Sequence, residues 1–291
     1  MTAATDRTPA PGRIARVRAL AVDHPTIAIG IAMLAVVVLA GALAPLLWTV
    51  DPQTISPANR LRKPNERFWF GADLIGRDVY SRTVFGARVS LLVGLGVAVA
   101  AIATGLVVGL LSGFVRWFDA VAMRVMDGLM AIPSILLAVA LIALTGASLQ
   151  NVIVAIAVSE VPRVARLVRS VVLSLKEQPF VEAAVAAGTP FHLLLIRHVL
   201  PNTTAPLLVQ GTYIFASAVL TEAILSFIGA GTPPAIPSWG NLIAEGRTVF
   251  QIAPHIVLFP GIALSWTVLA VNLLGDGLRD ALDPRFVSRT R

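Results

Sequence analysis

Apolar residues in this chain fall in long blocks bounded by charges, and the blocks predict its elements. A helix that crosses a membrane needs about 20 apolar residues, because each residue rises about 1.5 Å against roughly 30 Å of hydrocarbon. The first block lies between His24 and Asp51, and the second between Arg88 and Arg116. A third block, from Asp127 to Glu160, is too long for one crossing. The polar turn Gly146-Ala147-Ser148-Leu149-Gln150-Asn151 divides it into two helices. A fifth helix is predicted at about Thr204 to Phe227 and a sixth at His255 to Asp276. The pattern therefore predicts an all-α, polytopic membrane protein with six transmembrane helices and both termini on one side.

Composition strengthens this reading. The chain is 56% hydrophobic and 13% charged, against about 25% charged in a soluble domain. So much apolar surface calls for an apolar solvent. The net charge of +7 sits on residues that flank apolar runs, so membrane lipid is the expected partner of these cations. No basic groove with interleaved aromatics points to nucleic acid. The chain has no cysteine, which excludes disulfides, thiolate metal sites and cysteine nucleophiles. Arg7, Arg13, Arg16 and Arg18 precede the run from Pro25 to Val50. That run exceeds the 7–15 residues of a signal-peptide core, and is expected to remain as an uncleaved spanning helix.

Loop charges orient the bundle. With the N-terminus in the cytoplasm, fifteen Lys and Arg fall in inside segments and eight in outside segments, as the positive-inside rule asks. All but Arg247 of the outside charges lie in the first loop, Asp51 to Arg88, which opposes the assignment. Residues 1–25 then form a basic cytoplasmic tail and residues 26–291 the membrane domain. External loops are expected at about 51–88 and 229–254, and a cytoplasmic loop at about 170–201. Phe68-Trp69-Phe70 in the first loop suits the membrane–water interface. Prolines and glycines break Gly229 to Pro254, so it cannot be one continuous helix. It is expected to fold back at the outer surface or cap a cavity.

The segment from Lys176 to Pro201 does not read as lipid-embedded. Pro179 limits a preceding helix, and Glu182 falls in the next first turn, where a negative charge complements the helix dipole. Ala183, Ala184, Ala186 and Ala187 favour helix, and Gly188 permits a sharp change of direction. Thr189 as N-cap and Pro190 at the first position would restart a helix, with Phe191, Leu194, Leu195 and His198 near one face and Pro201 closing the unit. Two short helices with small residues on one surface make a lever that another subunit can approach closely. The other reading is an amphipathic helix lying on lipid.

Glu182-Ala183-Ala184, Gly188 and Leu200-Pro201 resemble the EAA loop of permeases in ATP-binding-cassette importers, whose pattern is E-A-A-x3-G-x9-I-x-L-P. Arg197-His198 is similar to the peptide-importer branch, where the general pattern has an aliphatic residue at His198. Further segments resemble the C-type permease of dipeptide and oligopeptide importers. They include Gly71-Ala72-Asp73, Gly76-Arg77-Asp78-Val79, Ala131-Ile132-Pro133-Ser134, Glu222-Ala223-Ile224-Leu225-Ser226-Phe227 and Pro237-Ser238-Trp239-Gly240-Asn241. The resemblance covers about Thr26 to Arg285. It departs at Glu160-Val161, where relatives usually place a tryptophan.

The resemblance implies a permease subunit of a bacterial inner-membrane importer for dipeptides or oligopeptides. A homologous second permease would complete the pathway, an external peptide-binding protein would deliver the substrate, and separate ATPase subunits would supply energy. The coupling residues it implies are Glu182, Ala183, Ala184, Gly188, Phe191, His192, Arg197, His198, Leu200 and Pro201. Glu222, Ser226 and Trp239 are the candidate path or gate residues, Glu222 because an acid in an apolar helix usually meets a cavity, a partner or a functional path. A hydrogen-bonded structural acid is the alternative role for Glu222. The same architecture also serves importers of nickel, glutathione or oligosaccharides. A secondary transporter would instead show inverted repeats and ion-coordinating broken helices, and neither is evident.

No catalytic or metal site is expected in the chain. Its two lysines, Lys63 and Lys176, do not follow a phosphate-binding glycine pattern. ATP and Mg are therefore expected on the partner ATPase and no cofactor here. His192 and His198 are six residues apart, about 240° around a helix, and cannot share a metal. Glu160 is followed by Arg163, a same-face pair, and Asp276, Arg279 and Asp280 are expected on a solvated face at the end of the sixth helix.

Overall fold

A computed structural model describes residues 24–282. The tail before them and the end of the chain after them, with Arg285, Arg289 and Arg291, lie outside the described residues. Nine helices form the described fold: α1 Pro25–Ala42, α2 Val79–Phe114, α3 Arg116–Ala131, α4 Ser134–Thr145, α5 Leu149–Lys176, α6 Pro179–Ala186, α7 Phe191–Phe227, α8 Trp239–Gly246 and α9 His255–Leu282. Among these residues there is no strand, only an isolated antiparallel bridge between Ala72 and Asp78.

Helices α1, α2, α7 and α9 are each long and apolar enough to cross a membrane, and the bent pair α3–α4 has the form of a broken span or a re-entrant loop. Helix α5, whose 28 residues reach about 42 Å, is long enough to cross but too charged to rank with those helices. Glu160, Arg163, Arg166 and Arg169 give its second half a charged character, and each is paired within the fold. Exposed aliphatics such as Ile29, Val36, Leu92, Val99, Leu136, Ile262 and Leu269 cover the outside of the bundle, as hydrocarbon requires.

Three boundaries differ from the sequence reading. Helix α2 begins at Val79, nine residues before Arg88. The charge gap misplaces this start because Asp78 caps the helix, its carboxylate accepting from the Ser81 N–H at 2.8 Å. Arg82 and Arg88 are satisfied by partners, Arg88 donating to the carbonyls of Gly41 and Ala42 at the end of α1. The third predicted span is not one helix but α3 and α4, bent by 96° at Ile132–Pro133. A proline disfavours helical conformation in the residue before it, and Ile132 is extended. Finally, Pro201 does not close a unit. A five-residue π-helical stretch, Leu195–Val199, runs directly into Leu200–Phe227, with Pro201 at its first turn. Pro201 therefore lies inside a longer helical run, where the π-helical stretch takes up the irregularity that a proline introduces, and α7 is one element of 37 residues.

Small residues set the central packing. Gly105, Gly109 and Gly113 of α2 meet Val164, Val168 and Val172 of α5, one residue per helical turn on each side. A Cβ on Gly109 would lie 2.6 Å from the Val168 Cβ. The same device joins α1 to α9, where a Cβ on Gly30 would lie 2.8 Å from the Ala270 carbonyl. Close backbone approach of this kind is how helices associate where lipid removes the hydrophobic drive. Around this seam, Val93, Val97, Ile142, Val152, Ile156, Ile214 and Leu225 complete the buried core.

Candidate functional sites at the two ends of the bundle

At one end, α8 folds back against α2, α7 and α9, as the proline-broken loop suggests. Ser238 starts the helix, accepting from the Asn241 N–H at 3.1 Å. The Ser238 hydroxyl also donates to Glu222 Oε1 at 2.9 Å, which accepts from Ser226 at 2.9 Å and Thr232 at 3.2 Å as well. The Asn241 amide holds the turn before α8 through the carbonyls of Thr232, Pro233 and Ile236. Trp239 donates its ring N–H to the Thr83 carbonyl at 2.9 Å and its backbone N–H to Ser90. Glu222 and Ser226 thus bond to each other, while Trp239 follows their partner Ser238 and bonds to α2; all three are buried by the chain's own helices, at 0%, 4% and 1% exposure.

A second polar cluster lies at the same end. Asp73 is fully buried and accepts from Arg77 Nε at 2.6 Å and Arg82 Nη1 at 2.7 Å. Both arginines also reach Glu245 of α8, at 2.6 Å each. Gly71 permits the path of this loop: its φ is +80°, and a Cβ would come within 2.6 Å of the Arg62 carbonyl. The sequence reading quoted Asp73 and Arg77 in motifs and missed Arg82 and Glu245. The usable signal was Arg82 itself, a cation just before an apolar run with no exit to water.

At the other end, α6 and the first turns of α7 form the predicted coupling segment. Glu182 lies in the first turn of α6 and is exposed, as are Ala183 and Gly188. Gly188 takes φ +76° with open space around it, the hinge that the sequence predicts. Thr189 is not the cap: its N–H bonds back to the Ala184 carbonyl, and Pro190 precedes the first helical residue, Phe191. A proline is favoured beside helix starts, but here its extended ψ of 146° places it outside the helix. The segment is anchored on α2. Phe191 packs edge-on to Phe114 with ring centroids 5.3 Å apart, and Lys176 sits over the Phe114 ring at 5.1 Å while donating to the Gly113 carbonyl. Phe114, Lys176, Val181, Glu182, Val185 and Ala186 line a recess of about 350 Å³. Leu194 and Val199 are buried, His198 and Leu200 half-buried, and His192, Arg197 and Pro201 exposed.

Comparison with known proteins gives the family of the chain. Residues 101–288 match the family described as binding-protein-dependent transport system inner membrane component. The chain belongs to this family. It is 51% identical over 266 residues to a probable peptide ABC transporter permease protein of Sinorhizobium fredii, covering 91% of each chain. It is 43% identical to the dipeptide transport system permease protein DppC of Alkalihalophilus pseudofirmus, over 89% of this chain and 86% of that one. A glutathione transport system permease protein, GsiD of Pectobacterium atrosepticum, is 39% identical over 91% and 89%. In fold it is similar to a chain of the MetNI methionine ABC transporter in inward-facing conformations, with a TM-score of 0.58 at 22% identity, over 69% of this chain and 96% of that one. The family resemblance expected from the EAA-type loop thus holds for this transport subunit, a multi-pass inner-membrane component.

Proposed function

We propose that this chain forms half of the translocation pathway of an ATP-driven importer for dipeptides or oligopeptides. A homologous second permease supplies the other half, and an external binding protein delivers peptide. ATP and Mg act on a separate ATPase, and this chain contributes no catalytic site. Both termini are cytoplasmic, so α6 faces the ATPase and α8 faces outward. Peptide names belong to relatives at 51% and 43% identity, which favours that substrate class. Glutathione, itself a tripeptide, is the second reading, favoured by the relative at 39%.

The observation that carries the mechanism is the continuity of α7. It starts in the coupling segment at Phe191 and ends at Phe227, one turn beyond Glu222. At 1.5 Å per residue its 37 residues make a strut about 55 Å long. A push on Glu182, Ala183 and Ala184 pivots about Gly188 and enters a membrane helix with no linker between. Phe191, His192, Arg197, His198, Leu200 and Pro201 form its base. At the far end, Glu222, Ser226 and Trp239 fasten the strut and α8 into one body, so the motion moves the outer mouth as a unit. Gly188→Leu places a branched side chain at φ +76°, a conformation that costs about 1–2 kcal/mol for a non-glycine residue, and realigns α6. The expected result is normal insertion and co-purification of the second permease and ATPase, with ATP hydrolysis persisting and peptide uptake lost. Uptake at the wild-type rate in Gly188→Leu would overturn the lever.

A further inference from the structure

Helix α3 leaves most of its surface exposed. Only Met126 along its length is buried. Trp117, Val121 and Val125 are 73%, 60% and 53% exposed, and their four-residue steps put them within one sector of about 80°. The two acids of the helix are paired with α5, although Asp127 shares a flank with Arg116 and Arg124 and is exposed. Asp119 accepts from Arg169 at 2.5 and 2.7 Å, and Asp127 pairs with Arg166, so both are spent on α5. Arg116 and Arg124 are exposed and pair with no acid among the described residues. The outer side of α3 therefore presents an apolar stripe with free positive charge on its flank.

Its position is fixed by α5 and by the bend. Arg166 and Arg169 lie 17 and 20 residues beyond Leu149, the first residue of α5, about 26 and 30 Å along the axis. With the start of α5 placed at one face of the roughly 30 Å hydrocarbon core, the partners of Asp119 and Asp127 stand at the other face. The 96° turn between α3 and α4 lays α3 across the axis of α4. A helix in the plane of the boundary, with Trp117 amphipathic, two valines beside it and unpaired arginines at the edge, fits one environment.

We propose that α3 is an interfacial helix that binds anionic phospholipid, with Trp117, Val121 and Val125 in the acyl boundary and Arg116 and Arg124 on the headgroup phosphates. The chain has no cysteine, so a single introduced cysteine reports cleanly once any cysteines of the partner subunits are replaced. The assembled transporter carrying spin-labelled Val121→Cys or Val125→Cys is placed in nanodiscs of phosphatidylcholine with phosphatidylglycerol. Collisions with dissolved oxygen should exceed those with a water-soluble nickel chelate severalfold. In parallel, Arg116→Gln/Arg124→Gln should lower the phosphatidylglycerol retained through purification by about 30-fold, the equivalent of about 1 kcal/mol for each of two basic residues at an anionic surface. Nickel-accessible labels would place the stripe in water. Labels shielded from both reagents would assign it to a protein partner, the second permease. Either result, or unchanged lipid retention, overturns the proposal.

Discussion

The two ends of this bundle are built differently. At the α8 end the main polar groups are paired within the chain: Glu222 collects three hydroxyls on Oε1 and Asp73 two arginines, while Glu222 Oε2, Asp78 Oδ1 and His255 Nε2 are buried without a partner. At the α6 end Glu182 and Gly188 stand exposed, and the anchoring contacts are the rings and cation at Phe114. A buried charge without a partner is costly, so the first end is finished by its own tertiary structure. An exposed helix of small residues costs little to leave bare, so the second can be finished by another subunit. The difference predicts that substitutions at the α8 end act on stability and those at the α6 end on transport.

The sharpest break of that contrast is at Asp73. Asp73→Ala removes the acceptor of Arg77 and of Arg82, which is 1% exposed, and leaves both arginines to Glu245 alone. Two hydrogen bonds to charged groups at about 1.5–3 kcal/mol each make this a loss of about 3–6 kcal/mol. Thermal unfolding in detergent should show a large drop, with little protein recovered from the membrane. Next is Glu222→Ala, which leaves the hydroxyls of Ser226, Thr232 and Ser238 without their shared acceptor, a loss of about 2–3 kcal/mol. Glu222→Gln keeps an acceptor oxygen and should recover most of the stability. A Gln variant as unstable as the Ala variant would mean that the charge, not the hydrogen bonding, holds α8. The smallest effect on stability is expected for Glu182→Ala, within about 0.5 kcal/mol as for an exposed site, while uptake falls severalfold. If Glu182→Ala unfolded the protein and spared uptake, the two ends would not be divided as argued.

The legible parts of the molecule were those written in local chemistry. Gly188 announced its hinge because a positive φ is a property of glycine itself. The six apolar blocks, the division at Gly146 and the helical α6 followed from periodicity and turn residues. Glu160–Arg163, three residues apart, was also read correctly, at 3.2 Å. Where the reading went astray, a long-range partner had changed the meaning of a local signal. Arg82 and Arg88 looked like loop charges because Glu245 and the end of α1 are remote in sequence. Pro201 looked like a stop because the π-helical stretch before it cannot be foreseen from its residues. The cluster of Glu222 with Thr232 and Ser238 needed the fold-back of α8 to bring a loop onto a helix.

By itself the sequence determined the solvent, the number of apolar blocks, the position of the hinge and the family-like coupling loop, since these rest on hydrophobicity and backbone conformation at each residue. Only the tertiary structure decided which charges are buried and paired, that α3 turns away from α4, and that the coupling segment and the membrane helix beyond it are one strut. Those features depend on which distant groups come within hydrogen-bond reach, and that is set by packing rather than by any stretch of the chain.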